Sequence, residues 1–105
     1  MDREQFLAVM LDGRNAVAGF NVVSIGTLTT ALVHPREVFK AAILANAAAI
    51  VLIHNHPSGD PEPSAEDRVL TERLRNAADM MGIKLLDHVI IGDGRFRSLA
   101  EDGIL

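Results

Sequence analysis

The chain has 105 residues, a net charge of −4, 49% hydrophobic and 4% aromatic residues, and no cysteine. That length sets an expectation of one domain with a single, mostly aliphatic core, and the hydrophobic content excludes a disordered chain. The charge gives no general attraction to nucleic acid or an anionic membrane, and the missing cysteines exclude disulfides, thiolate zinc sites and a thiol nucleophile.

No apolar segment approaches the ~18 residues of a membrane span, so the sequence reads as soluble and cytoplasmic. Glu4 to Leu11 reads as a strand with apolar side chains on both faces, which implies cover on both sides. Asp12-Gly13-Arg14-Asn15 is a turn signal, and Ala16 to Ile25 resumes a β-type run, so a hairpin opens the domain. Gly26 and Thr27 to Thr30 are ambiguous between strand end and connection. Pro35 suits the first turn of a helix. Val38, Phe39, Ala42 and Ile43 continue at helical spacing, and the alanines beyond extend the expected helix to about Ala48, with Asn46 interrupting its stripe.

Ala49-Ile50-Val51-Leu52-Ile53 suits a central strand. Pro57, Gly59, Pro61 and Pro63 keep the following stretch irregular until Ser64. From there Val69, Leu70, Leu74, Ala77, Ala78 and Met81 form an amphipathic stripe, with Gly82 as its stop. Ile83 to Ile91 reads as a strand, Gly92-Asp93-Gly94 as a turn and Phe96 to Leu99 as a short last strand. The order ββαβαββ makes an α+β domain with helices packed on a mixed sheet.

The chemistry concentrates between His54 and Asp67. Residues two apart on an extended backbone point the same way, so His54 and His56 can converge on one ion while Asn55 points elsewhere. The first turn of the next helix can return Asp67 as a third ligand. Three protein ligands leave a position for water, the mark of a catalytic zinc site. Without a thiolate, zinc is favoured, with iron, cobalt and manganese as alternatives. The bland reading is a polar loop after a buried strand, followed by Ser64 as an ordinary N-cap and Asp67 as a first-turn carboxylate favoured by the helix dipole. For an H-x-H pair alone, that reading comes first.

The full pattern H-x-H-x7-S-x-x-D resembles the JAMM motif of the JAB/MPN metalloprotease superfamily at all four defined positions. Ile53-His54-Asn55-His56-Pro57-Ser58-Gly59 and Leu86-Asp87-His88-Val89-Ile90-Ile91-Gly92 look closely like the bacterial RadC family, and His34-Pro35-Arg36-Glu37 is similar to it too. The resemblance runs from about Glu4 to Leu105 and implies a three-layer JAB/MPN-like fold. Family members usually carry an N-terminal helix-hairpin-helix region, absent from these residues, so the chain reads as an excised C-terminal domain or a short member.

The resemblance also implies a zinc-dependent hydrolase of peptide or isopeptide bonds. His54, His56 and Asp67 would hold the ion, and a glutamate from an early strand would act as general base. Glu4 stands where that residue is expected; Glu37, Glu62 and Glu66 are the competitors. Ser64 would donate to the oxyanion while serving as N-cap. The implied partner is a peptide or a ubiquitin-like protein conjugate. The competing functions are an MPN-type interaction module and, from the family's name, a DNA-repair domain. Neither a basic surface nor a helix-hairpin-helix supports the latter. His34 reads as a loop or cap residue, His88 as a packed or hydrogen-bonded histidine, and Arg73, Arg75, Lys84, Arg95 and Arg97 as solvated charges.

Overall fold

A computed structural model of the protein describes residues 4–26 and 33–105. Among these, the elements follow the expected order: β1 (Glu4–Leu11), β2 (Val17–Gly26), α1 (Pro35–Leu44), β3 (Ala49–Asn55), α2 (Ala65–Met81), β4 (Lys84–Ile91) and β5 (Phe96–Ser98). The Thr27 to Thr30 stretch lies outside the described residues.

The strands form one mixed sheet in the order β2-β1-β3-β4-β5. β1 runs antiparallel to β2 and β3, β4 is parallel to β3, and β5 returns antiparallel to β4. The fold is therefore α+β, as expected. β2 and β3 share a direction, so α1 lies in a parallel crossover from β2 to β3, and α2 in the next one from β3 to β4. Both crossovers step the same way across the sheet. Right-handed connections that advance in one direction put their helices on one face.

That face holds the core. Phe6, Ala8 and Met10 of β1 and Ile50 and Leu52 of β3 are buried together with Val38, Phe39 and Ala42 of α1 and Leu70, Leu74 and Ala78 of α2. The opposite face, with Leu7, Val9, Val51 and Ile53, is only half-buried. Among the described residues the helix-packed face is the more deeply buried, where apolar side chains on both faces of β1 implied cover on both sides. Strand order and crossover direction decide the layering, and neither can be read from alternation.

Two helix details also differ from expectation. α1 stops at Leu44 instead of about Ala48, despite the helix-favouring alanines. Asn46 adopts a left-handed conformation with φ 53°. Its N–H donates to Ile43 O at 3.1 Å, and Ala47 N–H donates to Ala42 O at 2.9 Å. This is a Schellman stop, which satisfies the last carbonyls and turns the chain into β3. Gly82, at φ 71°, ends α2 as expected. The buried stripe of α2 is Asp67, Leu70, Thr71, Leu74 and Ala78, while Val69 and Met81 are exposed, as is Ile43 on α1. No helix among the described residues is long and apolar enough to cross a membrane.

Candidate metal centre

β3 delivers His54 at its C-terminal end, fully buried, and His56 follows one residue beyond the strand, largely buried. As the two-residue spacing implied, the rings share a side of the strand, with centroids 4.8 Å apart. The chain then loops through the prolines to Ser64, the N-cap of α2. Ser64 Oγ accepts from Asp67 N–H at 3.0 Å, and Asp67 Oδ2 accepts from Ser64 N–H at 2.9 Å. This capping box satisfies two orphan amides and fixes the direction of the Asp67 carboxylate. The bland N-cap role and the ligand position are thus one arrangement.

The three side chains meet. His54 Nε2 lies 3.0 Å from His56 Nε2 and 3.4 Å from Asp67 Oδ1, and His56 Nε2 lies 3.1 Å from Asp67 Oδ2. Ligands at zinc distances of about 2.0–2.1 Å on a tetrahedron stand about 3.3–3.4 Å apart, so the triangle is of the right size. Its chemistry fits as well. His56 Nδ1 faces Asp60 O at 2.9 Å. A carbonyl only accepts, so Nδ1 carries the hydrogen and the neutral ring offers its Nε2 lone pair. Among the described residues, this is the group of histidine and acidic side chains that could hold a metal ion.

Burial alone would raise the Asp67 carboxyl. The His54 ring and the hydrogen bonds with Ser64 outweigh it and hold the group well below the usual carboxylate range. Glu4 opens β1, where Phe6 stands opposite His54 and stacks on its ring with centroids 5.4 Å apart. The Glu4 carboxyl is raised above its ordinary value: desolvation and Asp67 push it up, partly offset by His54 and His56. Of the competing glutamates, Glu62 is ion-paired with Arg97 at 2.6 Å, and Glu37 and Glu66 are exposed in helix first turns.

The loop carrying His56 is clamped to the β4–β5 hairpin. His56 N–H donates to Ile91 O at 2.8 Å, and Gly59 O accepts from Asp93 N–H at 2.9 Å and from the Arg95 guanidinium at 3.1 Å. A Cβ at Gly92 would stand 2.3 Å from Gly59 O, so this approach requires glycine. A cleft of about 360 Å³ opens here between residues 55–59 and 91–94, with His56 in its wall.

His34 caps α1, and His88 is buried and hydrogen-bonded, as the sequence indicated. Sequence reasoning missed the partners of His88: His54 Nδ1 at 2.7 Å and Thr71 Oγ1 at 2.6 Å. Burial, with the neighbouring His54, lowers the His88 imidazole to about 3. The available signal was a threonine four residues after Asp67, within an otherwise apolar helix stripe.

A family model described as RadC-like JAB domain matches residues 1–104. A protein of Desulforamulus reducens named only as a UPF0758 protein is 54% identical over all 105 residues, which cover 46% of its length. A namesake from Moorella thermoacetica is 56% identical over the whole chain and 46% of its own length. Another from Methanosarcina acetivorans is 50% identical over 98% of this chain and 45% of its length. The chain spans about half the length of these relatives.

Proposed function

Because the chain belongs to the RadC-like JAB domain family, we propose that it is a zinc-dependent hydrolase that cleaves a peptide or isopeptide bond. The observation that carries this reading is the convergence of His54 Nε2, His56 Nε2 and the Asp67 carboxylate at 3.0–3.4 Å from one another. These three would hold the ion. When bound, zinc supplies a Lewis acid that polarises a carbonyl and brings the pKa of a water to about 7.

The remaining work falls to the chain. Glu4, at the start of the strand beside β3, takes a proton from the attacking water and returns it to the leaving amine. Ser64 Oγ spends a lone pair on the Asp67 amide and keeps its hydroxyl hydrogen for the developing oxyanion. The cleft beside His56 offers room for a substrate. The chain's partner is a peptide or protein conjugate, and the net charge of −4 lends nucleic acid no support. The competing reading is an interaction module of the same fold without chemistry.

Metal analysis of wild type beside His56→Ala separates the two. About one zinc per wild-type chain, lost in the variant, is expected of a three-ligand site, and peptide cleavage should follow the zinc. A wild type that takes up no zinc leaves the interaction module as the reading.

A further inference from the structure

Ligand histidines in metal sites usually donate their second ring N–H to a carboxylate, a backbone carbonyl or water. His56 follows that habit through Asp60 O. His54 does not. Its Nδ1 faces another histidine, His88, which is fully buried and has no carboxylate on either ring nitrogen.

When His54 Nε2 holds a cation, the contacts have only one consistent set of hydrogens. Thr71 Oγ1 lies 2.7 Å from Asp67 O. A carbonyl has no hydrogen to give, so the threonine hydroxyl donates there, and without it two oxygens would face each other at 2.7 Å. Its only hydrogen is then committed, so across the 2.6 Å contact with His88 Nδ1 the threonine can only accept. His88 Nδ1 therefore carries a hydrogen, and in the neutral buried ring Nε2 is left as an acceptor. Across the 2.7 Å contact, His54 Nδ1 must donate to it. His54 Nε2 is then a lone pair, aimed at His56 Nε2 and Asp67 Oδ1.

We propose that His88 and Thr71 are positioning residues of the metal centre, a one-way hydrogen-bond relay that holds His54 in the tautomer able to bind a cation. The relay starts at one ligand, His54, and ends on the backbone carbonyl of another, Asp67. Strand β3 and the first turn of α2 are thereby tied together behind the ion as well as through it. With the opposite hydrogen order, His54 would carry its hydrogen on Nε2 and present a donor to the cation.

This inference rests on the metal-centre reading. Its test uses Thr71→Val, which keeps the shape and removes the hydroxyl, Thr71→Ser, which restores it, and long-range proton–nitrogen spectra of the histidine rings. In the zinc-loaded wild type, His88 should show a hydrogenated Nδ1 and a bare Nε2. That is the order which free neutral imidazole disfavours. In Thr71→Val the His88 signals should shift towards a tautomer mixture, and zinc affinity, measured by chelator competition, should fall about 10–100-fold. Thr71→Ser should recover both. A merely structural threonine would lower the melting temperature without moving the ring signals. Zinc binding by wild type and Thr71→Val with equal affinity and identical His88 spectra overturns the relay while leaving the metal centre intact. A wild type that binds no zinc overturns the metal centre and the relay's role with it.

Discussion

In the proposed mechanism Ser64 does two things with one oxygen. Its lone pair caps α2 through the Asp67 amide, and its hydrogen is available to an oxyanion. Ser64→Ala should cost about 1 kcal/mol in thermal or denaturant unfolding, and about 10²–10³ in kcat. A variant that loses stability but keeps its turnover would leave Ser64 as a cap alone. Glu4→Gln keeps size and hydrogen bonding but removes the base. Zinc content should match the wild type while turnover falls by about 10²–10⁴. Without the ion the Glu4 carboxyl is raised above its ordinary value, and a bound cation opposes that shift. A base works only when ionised, so the kcat/KM profile should show an acid limb in the wild type that disappears in Glu4→Gln. An unchanged limb would assign it to another group.

At the scale of elements, the candidate metal centre sits at the carboxyl end of β3, where α2 begins and β1 starts alongside. A crevice outside the carboxyl ends of parallel strands is the usual ligand position in such sheets. The loop from His56 to Pro63 has no regular structure of its own and depends on the β4–β5 hairpin for its shape. Gly92→Ala puts a methyl group into Gly59 O at 2.3 Å and Pro61 Cδ at 2.8 Å. The loop must shift, carrying His56 with it, while the helix-packed core is left alone. Zinc affinity should fall more than ten-fold, in the range seen for lost supporting contacts, with a smaller change in melting temperature than a core truncation causes. Equal zinc affinity in Gly92→Ala and wild type would show that the clamp does not govern His56.

At the scale of the molecule, the core formed by β1, β3, α1 and α2 contains none of the three candidate ligands. The chain should therefore stay folded after chelation, and zinc at 100 times its Kd should add about 2.7 kcal/mol. In the metal-free protein Asp67 links folding to pH. Its carboxyl is depressed in the folded state below the ordinary 3.8. The stability it contributes is present above that value and is lost as pH falls below it towards the depressed one. The gap in unfolding free energy between wild type and Asp67→Asn should accordingly be widest near neutrality and close in acid. A gap that stays constant down to strong acid would mean that the carboxylate charge does not stabilise the fold.

The sequence by itself determined the element order, the α+β class and the three converging side chains. These depend on local chemistry: strand and helix periods, the N-cap at Ser64, the left-handed glycine at Gly82, and the two-residue strand spacing of His54 and His56. Family resemblance proposed Glu4 and Ser64 as their catalytic companions. Only the tertiary structure decided what depends on which strand lies beside which. Two same-direction crossovers place α1 and α2 on one face, and β4 pairing beside β3 brings His88 to His54, 34 residues away. The N-terminal edge of β1 lands beside the histidines because Phe6 pairs with His54. Asn46 ends α1 early because its left-handed turn feeds β3, against the helix preference of the neighbouring alanines. Periodicity reports which face of an element is apolar, but it carries no record of the neighbour which that face will meet.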